Sequence, residues 1–184
     1  MYLCLKILDF GVYLVRDTTT SQSYYGLQKI LIQDYDMLMK TKAQIELWSR
    51  IHNSQYIVKL VDYHTFNNFF IELVFEPSPE GTLKTYLEKS TQPLPENDIL
   101  KFMESIAKGI NHMHSQVPCI VHSNIKIQNI FVFGKTLKLS GMARCFLESF
   151  DPRFYPFKLV TVVRQIVKTL ILIMRRGIII TTGK

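Results

Sequence analysis

H-M-H-S-Q-V-P-C-I-V-H-S-N-I-K-I-Q-N, running from His112 to Asn129, is the stretch on which the reading of the chain turns. It begins inside a long amphipathic pattern, about Asn97 to His114, where Ile99, Leu100, Phe102, Met103, Ile106, Ile110 and Met113 recur at the spacing of one buried helical face. Short apolar runs follow at Ile120–Val121, Ile130–Val132 and Leu137–Leu139, each of strand type. Between the first two lies a loop, His122 to Asn129, that gathers His122, Asn124, Lys126 and Asn129. Asn124 sits at its centre, and a carboxamide oxygen is far too weakly basic to accept a proton in catalysis.

Upstream of the loop, the front of the chain is rich in strands. Val12–Arg16 and Tyr24–Leu31 are β-branched and aromatic runs separated by polar Asp17–Ser23, which predicts a hairpin. Lys40–Ile51 places Ala43, Leu47, Trp48 and Ile51 at helical spacing, Ile57–Tyr63 and Phe69–Phe75 read as a further pair of strands, and Gly81–Glu88 as a short helix. No internal repeat or low-complexity linker is present.

Composition bounds the class. With 184 residues, 47% hydrophobic and 12% aromatic, the chain is expected to be globular. Cys4, Cys119 and Cys145 are odd in number, widely separated and without a C-x-x-C pair, which argues against a disulfide framework or zinc site and for a reducing, intracellular setting. Met1–Leu8 is apolar but interrupted by Lys6 and too short for a secretory leader, so no signal peptide is expected.

The net charge of +7 is entirely a property of the tail, because residues 1–151 hold 15 Lys+Arg against 15 Asp+Glu. Residues 151–184 carry Arg153, Lys158, Arg164, Lys168, Arg175, Arg176 and Lys184 among apolar residues, with no charge-free stretch near the ~20 residues of a membrane span. No transmembrane segment is therefore expected. Two alternatives stay open: a basic amphipathic segment on an anionic membrane or nonspecifically on nucleic acid, or, the favoured reading, a helix packed on the domain with its cations solvated. No specific nucleic-acid recognition is expected.

The order of elements and the loop together resemble the protein-kinase fold over roughly residues 8–158, the loop matching H-R-D-x-K-x-x-N. Within that superfamily the His112–Asn129 stretch, with Pro118, is most similar to the H-M-H-x-Q-x-P-x-I-x-H-R-D-L-K-x-x-N of the Numb-associated kinases, a serine/threonine family, and Y-G-L-Q-K-I-L at Tyr25–Leu31 is similar to their Y-A-L-K-R-L-L. The fold class implied is α+β and protein-kinase-like, with a β-rich N-lobe at 1–76, a partial helical C-lobe at 77–150 and a basic apolar tail at 151–184 outside the pattern. The resemblance also implies a cytoplasmic protein, ATP and magnesium as cofactors, and for intact relatives a role in clathrin-adaptor traffic.

Carried over residue by residue, the resemblance makes Asn124, Lys126 and Asn129 the catalytic-loop positions, Asn124 replacing the catalytic aspartate, Lys126 matching the γ-phosphate lysine and Asn129 the metal-binding asparagine. Val12, Gln28, Glu76 and Ser78 fall at the ATP positions: Val12 above adenine, Gln28 in place of the phosphate lysine, and the Glu76 carbonyl and Ser78 N–H at the adenine edge, with Phe75 as gatekeeper. Gln44 replaces the lysine's acidic partner, and a Gln28–Gln44 contact is an available substitute. Lys29, one residue along the strand, is expected on the opposite face unless a bulge returns it. Only Gly11 remains of the glycine-rich lid, and Ser123 replaces the loop arginine. K-L-S-G-M-A-R at Lys138–Arg144, set against the family's K-L-S-D-F-G-M-A-R, reads as though the Asp-Phe pair were deleted, or in a gap-free comparison puts Gly141 at the metal-binding aspartate; either way no carboxylate is supplied, and Asp151 lies too far downstream to substitute. His122 is expected to pack and hydrogen-bond rather than act as a base.

Three functional readings follow: a catalytically impaired pseudokinase that binds a protein partner, an active serine/threonine kinase using displaced residues, and a truncated product of low stability.

Overall fold

Alternating apolar residues along the front of the chain build one antiparallel sheet. The computed structural model describes residues 2–9, 12–18, 23–51, 53–141, 146–147, 164–171 and 173–174. Strands β1 (Tyr2–Asp9), β2 (Val12–Asp17), β3 (Tyr24–Leu31), β4 (Leu60–Phe66) and β5 (Phe70–Phe75) lie in the order β1-β2-β3-β5-β4, with helix α1 (Tyr35–Ile51) between β3 and β4. The hairpin expected of the second and third strands is present, Val12 opposite Gln28 and Arg16 opposite Tyr24.

In this half of the chain three details depart from the sequence reading. The apolar start of the chain is an eight-residue edge strand, its alternation obscured by register shifts at Cys4/Lys6 and Ile7/Asp9. Helix α1 starts at Tyr35, ahead of Lys40, because the Asp34 carboxylate accepts the Met37 N–H at 2.7 Å and satisfies an otherwise orphan donor of the first turn. The strand expected at Ile57–Tyr63 runs Leu60–Phe66 instead, since the backbone before it is committed elsewhere: the Val58 carbonyl accepts Trp48 Nε1 at 2.7 Å, and the Val58 N–H donates to the Leu139 carbonyl at 2.9 Å.

The second half is mainly helical. Helix α2 (Leu83–Lys89) is capped by the Thr82 hydroxyl, which accepts the Thr85 N–H at 3.2 Å. Helix α3 (Glu96–His114) buries Phe102, Ile106 and Met113 and half-buries Ile99, Met103 and Ile110. Leu100, expected on that face, is 54% exposed: two residues from Phe102, it points to nearly the opposite side of a helix with 3.6 residues per turn. Strands β6 (Ile120–Val121) and β9 (Phe146–Leu147) pair, as do β7 (Ile130–Phe133) and β8 (Thr136–Leu139). Residues 164–171 and 173–174 are helical (α4).

A continuous cluster of buried side chains joins the inner face of the sheet (Ile71, Leu73, Phe75) to α1 (Trp48, Ile51), α3 (Phe102, Ile106) and the β7–β8 hairpin (Phe131, Leu137, Leu139). Ile173 of α4 belongs to the same cluster and is fully buried, while Ile166 and Leu170 pack against it and Arg164 and Lys168 remain exposed. Sheet and helices are joined covalently at Glu76–Pro77. They are also joined by the backbone of residues 56–58, where the Leu139 N–H donates to the Tyr56 carbonyl at 2.8 Å. Among the described residues no helix is long and apolar enough to cross a membrane. Cys4 and Cys119 are thiols, and Cys145 lies outside the described residues.

Candidate functional site

The loop His122–Asn129 is strung between β6 and β7 and held from within. His122 is fully buried, its Nε2 2.9 Å from the Ser140 carbonyl and its Nδ1 accepting the Asn124 N–H at 3.3 Å. Donating at one nitrogen and accepting at the other is the pattern of a neutral imidazole with its proton on Nε2. Burial pulls its pKa down to about 4, so the ring is neutral near pH 7 and organises the loop, as expected.

Asn129 closes a 3₁₀ turn, Ile127–Asn129, and its Nδ2 donates to the Asn124 carbonyl at 2.8 Å. Its own carbonyl accepts the Ser140 N–H at 2.8 Å. Lys126 is exposed and Asn124 half-buried. Asn124, Lys126 and Asn129 are therefore brought together on one loop, with Asn129 occupied as a structural brace.

Gly141 follows Ser140 with φ +75°, a left-handed conformation in which side chains are strained. A Cβ added there would lie 2.5 Å from Asn129 Cγ and 2.7 Å from its Nδ2. The position that would carry the metal-binding aspartate in a gap-free comparison thus takes a side chain only with a strained backbone and a displaced Asn129. Met142–Arg144 and Asp151 lie outside the described residues, as do Phe10 and Gly11 of the lid.

On the sheet, Val12 is buried and Gln28, its neighbour across β2–β3, half-buried. Among the described residues no hydrogen bond joins Gln28 to Gln44, so the substitute contact that the sequence makes available is not formed. Strand β3 pairs with β5 without a bulge, Lys29 opposite Glu72, which leaves Lys29 on the other face. There it forms a 2.7 Å ion pair with Glu72 and lies 5.3 Å from the Phe70 ring centre. That face bears a cavity of about 580 Å³ lined by Tyr2, Tyr13, Lys29, His64, Phe66 and Glu72, which confirms that Lys29 is turned away from Gln28.

Phe75 is fully buried and its ring fills the space beneath Gly26. A Cβ on Gly26 would meet Phe75 Cε2 at 2.1 Å, and the ring is flanked by Trp48 (centroids 6.3 Å apart) and Phe131 (5.6 Å). Gly26 is thus needed for close approach of a ring to a strand.

The connection after β5 is rigidly bonded. The Glu76 carboxylate accepts both the Lys59 N–H at 2.7 Å and the Lys138 ammonium, at 2.8 Å to each oxygen. Ser78 is buried, its hydroxyl donating to the Val132 carbonyl at 2.7 Å and accepting the Gly81 N–H at 3.1 Å. The Glu76 side chain thus has a structural engagement that the reading of its carbonyl missed. Also missed was Gln165 of α4, whose side chain bonds to the loop backbone. The first gave no sequence signal, since Lys138 lies 62 positions from Glu76. The second lies where no family pattern applied.

Residues 11–149 match the profile of the protein kinase domain. The chain is 34% identical over 127 residues to a probable serine/threonine-protein kinase of Dictyostelium discoideum, covering 66% of this chain and 11% of that protein. It is 24% identical over 123 residues to actin-regulating kinase 1 of Saccharomyces cerevisiae (63% and 19%) and 32% identical over 106 residues to serine/threonine-protein kinase WNK8 of Arabidopsis thaliana (54% and 19%). The chain therefore spans only between about a tenth and a fifth of the length of these relatives.

Proposed function

This chain belongs to the protein kinase domain family, and we propose that it is a catalytically impaired member that works as a protein-binding module. The observation that carries this reading is the closed contact between Gly141 and Asn129. Phosphoryl transfer in the family uses ATP with magnesium held by an aspartate and an asparagine, the aspartate of the catalytic loop receiving the substrate proton. Here Asn124 stands in place of the loop aspartate, no carboxylate stands at the metal position (Gly141 in a gap-free comparison), and Asn129, whose Nδ2 donates to the Asn124 carbonyl, has only its Oδ1 to offer a metal.

These residues do not fit a magnesium ion, which binds through one or two carboxylates together with phosphate oxygens. Among the described residues no cluster of three or more His, Cys, Asp or Glu is placed for a metal. They fit ATP little better: Gln28 carries no charge for the phosphates, and the Phe75 ring fills the space between Gly26 and Phe131. The competing reading, an active kinase using displaced groups, required Lys29 to cross the sheet. Its pairing with Glu72 on the far face weighs against that.

Kinship with the Numb-associated kinases, a cytoplasmic location and a protein partner are parts of the same proposal. The first rests on the His112–Asn129 motif and on the actin-regulating kinases among the relatives.

The test is direct. Magnesium-ATP should leave the melting temperature unchanged, and labelled phosphate should not reach a generic protein substrate. If the four departures (lid, Gln28, Asn124, lost aspartate) each lowered the rate by only ~10²-fold and acted independently, residual turnover would be negligible beside the family's usual ~1–100 s⁻¹; residues acting as a unit give a smaller combined loss. Asn124→Asp alone should not restore transfer, because the metal carboxylate would still be missing. Transfer by the wild-type chain that disappears in Lys126→Ala or Asn129→Ala would refute the proposal.

A further inference from the structure

We infer that Gln165 is a positioning residue for the loop around Asn124, so that α4, outside the residues that match the kinase domain, forms part of the candidate site. The Gln165 side chain makes two hydrogen bonds to the loop backbone. Its Oε1 accepts the Ile125 N–H at 2.9 Å, and its Nε2 donates to the Ser123 carbonyl at 2.8 Å. The groups it engages immediately precede and follow Asn124, which is pinned from both sides. One amide thus satisfies a donor and an acceptor two residues apart, as a neighbouring β-strand would.

Two further observations show why the loop needs this. Ser123 has φ +48°, a left-handed conformation uncommon for serine, so its backbone must be held by its surroundings. Ile125 is buried, and a buried N–H left without an acceptor is strongly disfavoured. The helix that presents Gln165 is itself anchored, with Ile173 and Thr169 buried and Ile166 and Leu170 packed on the central cluster. Residues 164–171 and 173–174 therefore act as a strut between that cluster and the loop. This inference concerns the placement of Asn124 and holds whether or not the site retains activity.

The experiment is residue-resolved amide exchange on the full chain, comparing wild type, Gln165→Ala and Gln165→Glu, with Leu73 in β5 as internal reference. In the alanine variant the Ile125 amide should exchange roughly tenfold faster or more, the size expected for one lost hydrogen bond of a buried group, while Leu73 changes much less. In the glutamate variant a carboxylate oxygen still accepts from Ile125, so its protection should be largely kept even though the bond to Ser123 is lost. Unchanged Ile125 exchange in the alanine variant, or a rise that Leu73 shares in full, would overturn the inference. Should the alanine variant fail to fold, the glutamate variant decides alone: protected Ile125 supports the strut and unprotected Ile125 refutes it.

Discussion

Gly26→Ala should destabilise this protein, whereas glycine to alanine in an ordinary strand would not. Gly26 lacks a positive φ, so alanine meets no backbone objection, and the loss of unfolded-state freedom alone would favour it by ~0.4–1 kcal/mol. The obstacle is the Phe75 ring, with three carbons 2.1, 2.5 and 2.7 Å from where the new methyl must sit. Ordinary carbon contacts lie at about 3.5–4.0 Å, so the ring or the strand must move by more than 1 Å. The ring is boxed in by Trp48 on one side and Phe131 on the other, and the strand is held in register between β2 and β5. Overpacking of this kind costs about 1–3 kcal/mol, which outweighs the entropic gain.

The comparison that isolates the cause is a double-mutant cycle with Phe75→Leu, read by urea unfolding. Leucine leaves room beneath the strand, so adding the methyl at position 26 should become neutral or mildly stabilising, giving a coupling on the order of 2 kcal/mol. If Gly26→Ala is tolerated in the wild-type background, or costs the same with leucine at position 75, the ring is not where we place it. Phe75 then does not fill this slot.

Other consequences are simpler to check. Gly141→Ala should lower stability by roughly 1–3 kcal/mol, since it adds a left-handed non-glycine residue and a methyl against Asn129; an unchanged melting curve would contradict the geometry. His122 is held neutral with its pKa near 4, below the ~6.5 of an unfolded histidine. The unfolded chain therefore binds a proton that the native chain refuses as pH falls below about 6.5. The stability present above that pH should decline by ~3 kcal/mol as it falls towards 4. His114, also lowered by burial, acts in the same direction, so the His122 share is the difference in slope between wild type and His122→Gln. Equal slopes would refute it.

The parts legible in the sequence were those that repeat a local period or fill a recognisable loop. The β2–β3 hairpin, the buried face of α3 and the strands bracketing His122–Asn129 all announce themselves by spacing. Lys29 was assigned to the correct face by parity alone. Strand β1 was not legible because its register shifts break the alternation that marks a strand. The fit of Phe75 to Gly26 joins residues 49 positions apart in sequence, though a lone glycine within a strand does signal close approach of another group. Gln165 reaches the loop across 40 positions, and a polar residue on a basic, apolar helix gives no sign of the backbone it will meet.

The grouping of attachments around Glu76 has a mechanical meaning. The covalent link at Pro77, the carboxylate–Lys138 pair and the bonds between residues 56–58 and Leu139 all lie beside β5 and the start of β4, at one margin of the sheet, while β1 is farthest from them in strand order. These polar ties clamp that margin to the β7–β8 hairpin, and the buried cluster beside them, where Phe75 meets Phe131, fastens the face of the sheet as well.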